Sequence, residues 1–172
     1  MKKLLLWVLV PAVLLAATPL WAEVVTDGTT GGAGAVSLRG PDYDIRPEYG
    51  DLAGANLFHS FQQFNIDTGE SAVFSGPSSV DNIISRVTGG SLSTIDGLLR
   101  STIPGAALYL VNPAGILFGP DAALDVDGAF HASTADYLRM GDAERWYSLP
   151  VAGESFSSAP PSAFGFLGGE AA

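Results

Sequence analysis

The sequence predicts an all-β protein built from short strands. Glycine and proline together make up 32 of the 172 residues, and both residues favour tight turns over helices. Between them lie runs of four or five residues rich in Val, Ile, Leu, Phe, Ser and Thr, a composition typical of strands. The apolar fraction of 47% is too high for a disordered chain.

The first elements after residue 22 are the least regular. Residues 23–26 predict a short strand, residues 27–34 a flexible turn, and residues 35–39 a second strand. Residues 40–54 are rich in proline, glycine and charged side chains, so we interpret them as a loop.

The strand pattern becomes clear from residue 56. The run NLFHSFQQFNI at residues 56–66 fits a helix nearly as well as a bent strand, and its phenylalanine content and flanking turns favour the strand. Further strands bounded by Gly, Pro or Asp turns are predicted at residues 71–74, 82–87, 93–99, 107–111, 115–118, 123–126 and 129–133.

Short strands that turn every seven to nine residues are too short for a wide sheet. In a parallel β-helix, about three short strands and their corners make one rung, and each strand pairs with the equivalent strand of the next rung. An ordinary antiparallel sandwich fits the same local pattern, so the residues alone leave both architectures open.

The last part of the chain differs in composition. A helical turn is predicted around residues 142–146, and the Ser, Gly and Pro clusters at residues 153–161 are typical of a mobile segment. Residues 164–167 are apolar again, so they need a surface on which to pack.

The first 22 residues predict a secretory signal peptide. Lys2 and Lys3 precede an apolar stretch of 14 residues, and a short segment broken by Pro19 ends at the small residue Ala22. The apolar stretch is shorter than the roughly 20 residues that a membrane-spanning helix needs, which disfavours an uncleaved anchor. We therefore expect cleavage after Ala22 and a protein that leaves the cytoplasm.

Removal of that segment leaves a strongly acidic chain. No lysine occurs after residue 22, and six arginines face 18 acidic residues, for a formal net charge of −12. Such a chain is repelled by phosphate backbones and anionic lipid surfaces, so we expect no nucleic-acid partner. Because the chain has no cysteine, the exported domain must rest on a buried core and backbone hydrogen bonds.

Side chains that carry common catalytic chemistry are scarce. Without cysteine or a lysine after residue 22, thiol nucleophiles and Schiff bases are excluded. The two histidines, His59 and His131, lie 72 positions apart among apolar residues, so we interpret both as structural or surface residues. We therefore expect no enzyme activity, no metal site and no cofactor.

A pair of carboxylates suggests an alternative to a protein without enzyme activity. Asp125 and Asp127 alternate with apolar residues, so both are expected on the solvent side of one strand, where two carboxylates could bind calcium or act as acid and base. An exported carbohydrate-active β-helix would use such a pair. However, no basic residue lies within seven positions to hold an acidic sugar, which favours a solvated face. Asp42 and Asp44 receive the same interpretation.

The most specific short element is Asn112-Pro113-Ala114-Gly115-Ile116. Asparagine before proline is held in an extended or turn conformation, and its side chain can accept hydrogen bonds from nearby backbone amides. Proline fixes its own φ, and glycine allows a positive φ. The element therefore predicts a rigid corner between the strands on either side.

Four motifs in order resemble the N-terminal two-partner secretion domain of the filamentous haemagglutinin family of large bacterial exoproteins. They are NLFHSFQQFNIDTGESAVFSGP at residues 56–77, NIISRVTGG at 82–90, STIDGLLRS at 93–101, and LYLVNPAGILFGPDAALDVDGAFHASTAD at 108–136. The corner Asn112–Ile116 is similar to the family's Asn-Pro-Asn-Gly-Ile signature, with Ala114 in place of the second asparagine. The family's second signature, Asn-Pro-Asn-Leu, is not visible in this sequence.

The resemblance implies a right-handed parallel β-helix with an N-terminal capping sheet over residues 23–140, after the signal peptide of residues 1–22. Because the family's proteins run on for hundreds of residues, it also implies that residues 141–172 begin further β-helix in a longer protein. The implied role is secretion targeting, in which an outer-membrane β-barrel transporter recognises the extended chain through its periplasmic domains. The corner Asn112–Ile116 is the implied recognition element.

Family members commonly act as adhesins, haemagglutinins or cytolysins through regions downstream of this domain. The resemblance therefore implies a protein that passes through the periplasm of a Gram-negative bacterium and is secreted or held at the cell surface. It also implies host or cell-surface ligands for the downstream regions. A surface adhesin module in its own right is a further alternative.

Overall fold

The computed structural model describes residues 23–168, so the expected signal peptide lies outside the described residues. No helix in the described part is long and apolar enough to cross a membrane. Within residues 23–168, one 3₁₀ turn, Pro47–Tyr49, accompanies fifteen strands. The strands are β1 (Val24–Thr26), β2 (Asp42–Ile45), β3 (Gly50–Ala53), β4 (Asn56–Phe64), β5 (Ser71–Phe74), β6 (Asn82–Val87), β7 (Ser93–Ile95), β8 (Leu98–Ser101), β9 (Ala107–Val111), β10 (Ile116–Phe118), β11 (Ala123–Asp125), β12 (Phe130–Ser133), β13 (Tyr137–Met140), β14 (Glu144–Tyr147) and β15 (Pro161–Gly165).

Parallel ladders arrange these strands into a β-solenoid of about 4 turns. Strands β4, β6, β9 and β12 pair in that order and form the first face. Strands β7 and β10 form the second face, and β2, β5, β8 and β11 form the third. Within each face, paired strands belong to adjacent coils. The second face has regular strands in two coils only, and the isolated bridge between Ile66 and Ile95 extends it by one coil. The expectation of a parallel β-helix is confirmed, and the antiparallel sandwich is wrong.

The N-terminal end of the solenoid is covered by antiparallel strands. Both β1 and β3 pair with β4, the first strand of the first face, on the edge that β6 leaves free. Because a bare edge strand would offer unpaired N–H and C=O groups to other chains, this arrangement closes the first face at that end. The expected N-terminal capping sheet is confirmed.

Ladders of apolar side chains fill the inside of the coil. Leu57, Ile83, Leu108 and Phe130 stack on one another from coil to coil because parallel pairing places equivalent positions in register. The first three are about 1% exposed or less, whereas the last, on the final coil, is only partly buried. The main core of the protein is therefore a column that runs along the solenoid axis.

A second, smaller core lies on the outer side of the first face. Strands β13, β14 and β15 form an antiparallel sheet, which we call the outer sheet, in the order β14-β13-β15. Trp146 and Leu138 from this sheet pack on Phe58 and Ile84, which point outward from β4 and β6. The first face is thus buried on both sides along β4, which explains why seven of the nine residues of that strand are buried.

Several strands have the predicted bounds, and some predictions are wrong. The structure confirms residues 71–74, 82–87 and 107–111 as strands with those bounds. Residues 40–54, predicted as a loop, contain β2 and β3 instead, because pairing with β5 and β4 supplies the hydrogen bonds that the local sequence does not suggest.

Two further predictions near the ends are also wrong. Residues 35–39 do not form a strand, and only Ser37 makes an isolated bridge to Val25. The helical turn predicted at residues 142–146 is replaced by β14, which pairs with β13 through a tight turn that contains Gly141 at φ +56°. Cross-strand pairing and burial of Trp146 outweigh the local helical signal there.

Candidate functional site

The predicted corner is a hydrogen-bonded turn between β9 on the first face and β10 on the second. The N–H of Gly115 donates to the carbonyl of Asn112 at 3.0 Å, and the N–H of Ala114 donates to the side-chain Oδ1 of Asn112 at 2.9 Å. Gly115 has φ +122°, a value that side-chain-bearing residues rarely adopt. The corner that Asn112-Pro113-Ala114-Gly115 predicts is therefore confirmed as a local structure.

The side chain of Asn112 also ties this corner to the previous coil. Its Nδ2 donates to the carbonyl of Ser91 and to the Oγ of Ser93, both at 3.0 Å. Asn112 is fully buried, so its amide makes all of these bonds away from water. A replacement without the amide would leave the carbonyl and the hydroxyl without this donor, at a cost of about 1–3 kcal/mol for a buried polar group.

The other residues of the corner differ in exposure. Pro113, Gly115 and Ile116 are partly buried, and Ala114 is exposed. Among the described residues, glycines alone have a positive φ, so Ala114 occupies a conformation that needs no asparagine. The departure from the Asn-Pro-Asn-Gly-Ile signature therefore leaves the turn intact, and it changes only the side chain that faces solvent.

Two exposed apolar side chains flank the corner on the second face. Leu92 is 50% exposed and Leu117 is 57% exposed. A Cβ at Gly115 would lie 3.6 Å from the Cβ of Leu92, so the first of these side chains sits directly beside the turn. In the folded domain, the accessible surface of this corner is thus Ala114 with two leucines, and the asparagine is hidden.

The two histidines lie on opposite sides of the first face. His59 points into the solenoid core and is fully buried, with its ring near the rings of Phe61 and Phe74. His131 points outward and stacks on Tyr109, with ring centroids 4.4 Å apart. They cannot share a site, and residues 23–168 contain no group of three or more His, Cys, Asp or Glu side chains arranged to hold a metal ion.

The carboxylates of the alternative interpretation are held by separate contacts. Asp125 forms an ion pair with Arg100 at 3.2 Å, and both side chains are about half exposed. Arg100 lies one coil earlier, at the position that pairs with Asp125, so the stacking supplies a cation that the local sequence does not show. Asp127 accepts a 3.4 Å hydrogen bond from the N–H of Gly105. The two carboxylates therefore face different partners.

Asp42 and Asp44 also have separate partners on the outside of β2. Asp42 accepts a hydrogen bond from the hydroxyl of Ser71 at 2.7 Å, and Asp44 lies 3.7 Å from the Nε of Arg46. Both aspartates are exposed. Their contacts are typical of a solvated strand face, as the sequence predicted.

Sequence reasoning missed a buried polar network on the outer side of the first face. Arg86 is fully buried and binds Glu154 through two contacts of 2.6 and 2.7 Å. On its other side, Ser60 accepts from the Nε of Arg86 and donates to the carboxylate of Asp27. No local pattern marks these residues, because they meet only when distant parts of the chain fold together.

Asp27 is the second charged group of this network. Partial burial opposes its ionisation, but hydrogen bonds from Ser60, Thr29 and Thr88 outweigh burial and lower the pKa of its carboxyl below the ordinary value. Asp27 is therefore an anion in the folded state at neutral pH. It fixes the first ordered turn of the chain against β4 and the end of β6.

Comparison with known families supplies a match for the whole described region. The family model described as TPS secretion domain matches residues 22–169. The match includes the capping strands, all of the coils and the outer sheet. No curated protein and no solved structure matches the chain.

Proposed function

The chain belongs to the TPS secretion domain family, the N-terminal domain of two-partner secretion exoproteins such as filamentous haemagglutinin. On that premise, we propose that its transporter recognises the chain while it is still extended, before the coils of the solenoid have stacked on one another. The family makes it a targeting domain of a secreted exoprotein, which is exported through the outer membrane of a Gram-negative bacterium with an outer-membrane transporter as partner. A targeting domain is not a catalytic one.

The burial of Asn112 is the observation that supports recognition of an open chain. In the folded domain its amide is fully buried and hydrogen-bonded to the previous coil. A partner can reach that side chain only while the coil that contains β9 and β10 is apart from the coil that contains β6 and β7. In an extended chain, the backbone around the corner is also free to add as a strand to a periplasmic domain of the transporter, and side chains at alternate positions give specificity.

The composition is compatible with passage of an open chain. The protein has no cysteine, so no disulfide can close a loop before export. A solenoid can then grow coil by coil outside, because each coil offers its free edge to the next. Folding on the far side of the membrane would thus favour forward movement.

Replacement of Asn112 by alanine is expected to reduce secretion more than its effect on folding explains. Asn65 provides the matched control, because its Oδ1 accepts a hydrogen bond from the N–H of Thr94 on the second face, outside the Asn-Pro-Ala-Gly-Ile corner. The experiment co-expresses each variant with the cognate transporter and measures the protein in the medium. The free energy of unfolding of each purified variant is measured alongside.

The proposal expects Asn112→Ala to be secreted several-fold less than Asn65→Ala at equal stability. Gly115→Ala is a second variant of the same corner. An alanine at φ +122° is strained in the folded turn, so its stability is measured too, and its secretion should also fall further than that stability explains. If both corner variants are secreted as well as the wild type, the role of residues 112–116 in recognition is wrong. If secretion follows stability alone in all three variants, the corner is only structural.

We further propose an export route for this chain and a role for the regions downstream of it. Residues 1–22 act as a signal peptide that is removed after Ala22, and the chain then crosses the periplasm. Residues 23–140 serve as the secretion domain of an adhesin or haemagglutinin whose surface ligands are bound by downstream regions. The mass of the secreted protein tests the cleavage, because a mature chain that begins at residue 23 has lost both lysines.

The far end of the solenoid supports the presence of further β-helix. Leu124 stacks on the buried Leu99 and yet is 51% exposed, and Phe118 stacks on the buried Ile95 and is 46% exposed. These side chains point inward on the last coil, where an interior position would normally be covered. We propose that a further coil of the exoprotein covers them, on the free edges of β10, β11 and β12.

Hydrogen exchange tests the further coil. In the chain of 172 residues, the amides of β11 are expected to exchange faster than those of β8, which is paired on both sides. In the exoprotein as its host secretes it, β11 should be protected to the level of β8. Equal, fast exchange of β11 in both proteins would contradict the further coil.

A further inference from the structure

Arg86 uses every hydrogen-bond donor of its guanidinium group. Nε donates to the Oγ of Ser60 at 2.8 Å. Nη1 donates to the carbonyl of Tyr147 at 2.8 Å and to Glu154, and Nη2 donates to Glu154 and to the Oγ1 of Thr29 at 3.1 Å. An arginine has five such donors, so none is left for water. The group is fully satisfied only when all four partners are in place.

The position of Arg86 makes these partners necessary. It lies on the outer side of β6, and Trp146 from the outer sheet covers its guanidinium, with Cζ 4.7 Å from the ring centroid. The Arg86 side chain is 0% exposed and that of Glu154 is 11% exposed. Removing one partner of a buried ion pair leaves an uncompensated charge away from water, which is strongly destabilising.

The partners of Arg86 come from parts of the chain that are far apart in sequence. Ser60 and Arg86 are paired positions on adjacent strands, so they meet when the second coil stacks on the first. Glu154 lies 68 residues after Arg86. It follows the hairpin of β13 and β14, in a segment that Asn56 also holds through the carbonyls of Ser157 and Ala159. Glu154 therefore belongs to the same segment of the chain that carries the outer sheet.

We propose that Arg86 and Glu154 form a latch that closes after the coils have stacked and then holds the folded domain against reopening. The pair contributes little to the barrier for folding, because the coils grow without it. It contributes to the barrier for unfolding, because the outer sheet cannot leave without exposing the pair or separating two buried charges. For an exported domain, slow reopening keeps the chain folded outside, a consequence that rests on the proposed function.

Folding kinetics of the Glu154→Gln variant test the latch. Glutamine keeps the shape of the side chain and removes its charge. The mature chain, residues 23–172, is unfolded and refolded in urea by rapid mixing. The proposal expects unfolding to accelerate by about tenfold or more, with a refolding rate within about twofold of the wild type. Such a result corresponds to a φ-value near zero.

Glu144→Gln is the matched control, because Glu144 is an exposed glutamate on β14 that belongs to no ion pair in the described residues. It should leave both rates unchanged. Glu154→Asp provides a milder variant with the same charge and a shorter reach, and it should raise the unfolding rate by less than Glu154→Gln. This variant keeps the test decisive if Glu154→Gln does not fold.

Two outcomes would overturn the latch. If the whole loss in stability of either Glu154 variant appears as slower refolding, with the unfolding rate unchanged, the contact between Arg86 and Glu154 forms early in folding and does not close last. If the rates of Glu154→Gln equal those of Glu144→Gln, the pair does not hold the domain closed. Neither measurement involves the transporter, so the latch can fail while the targeting role stands.

Discussion

Acidification from pH 7 to pH 4 is expected to lower the free energy of unfolding by about 3 kcal/mol through His59 alone. Burial lowers the pKa of His59 from 6.5 to about 4 in the folded protein, and the backbone of Tyr49 offsets this effect in small part. Between these two values, the unfolded chain binds a proton that the folded chain does not. Stability is therefore fully present above pH 6.5 and falls as the pH decreases towards 4.

The surroundings of His59 explain why the charged form is disfavoured. Its ring packs against those of Phe61 and Phe74, with centroids 6.0 and 5.5 Å away. Neither ring nitrogen makes a hydrogen bond of ordinary geometry with the described residues. The backbone of β3 packs closely over the ring, since a Cβ at Gly50 would lie 2.9 Å from Nδ1. A buried imidazolium would therefore have no counter-charge.

Urea unfolding at several pH values tests this expectation. The variant His59→Leu should lose the pH dependence between 6.5 and 4, because leucine has a similar volume and no titratable group. The variant His131→Leu is the control and should keep it. Hydrogen bonds lower the pKa of Asp27, so its contribution is lost only below the ordinary value of 3.8, outside this window. A wild-type stability that stays flat down to pH 4 would contradict the role of His59.

The sequence predicts individual strands better than it predicts their partners. Residues 71–74, 82–87 and 107–111 are strands with the expected bounds because turn residues flank each run closely. The same runs fit a sandwich or a coil, since alternation reports only which side of a strand faces inward. The choice between the two architectures depends on whether a strand pairs with another strand about 25 residues further along the chain. Only the resemblance of the four motifs to a known family favoured the parallel β-helix.

Long-range pairing also explains what the sequence could not predict. Strand β2 lies in a stretch rich in turn residues, and its parallel register with β5 supplies the hydrogen bonds. Arg100 reaches Asp125 because they are neighbours on adjacent coils, although they are far apart in sequence. The Arg86 network joins four regions of the chain, at residues 27–29, 60, 86 and 147–154. None of these contacts leaves a local signature.

At the corner Asn112–Ile116, too, the local sequence predicts the local structure but not the long-range contacts. The turn itself follows from local chemistry, since asparagine, proline and glycine at these spacings favour it. The burial of Asn112 does not follow, because its partners Ser91 and Ser93 belong to the previous coil. The sequence therefore predicts the turn, and the structure adds that the side chain of Asn112 is buried against the previous coil.

Replacement of Phe58 by alanine is expected to destabilise the outer sheet by about 3–5 kcal/mol, the range for large-to-small changes at buried phenylalanines. Phe58 is fully buried and points outward from β4. Its ring centroid lies 5.3 Å from that of Trp146 and 5.2 Å from that of Phe156. The cavity would therefore open between the solenoid and the outer sheet and leave the inner column intact.

Phe61 is the matched control because it lies on the same strand and points inward, with Phe64 and Phe74 as its aromatic neighbours. Phe61→Ala should cost a similar amount but weaken the column itself. In the chain without residues 1–22, Trp146 is the single tryptophan, so its fluorescence reports on the outer sheet, and circular dichroism reports on the strands as a whole.

For Phe58→Ala, the fluorescence transition in urea should move to a lower concentration than the circular dichroism transition. For Phe61→Ala, the two transitions should move together, because loss of the column removes the surface on which the outer sheet packs. Separate transitions in the first variant alone would show that the outer sheet can open before the solenoid does. Coincident transitions in both variants would instead make the two cores one cooperative unit, and would contradict this prediction.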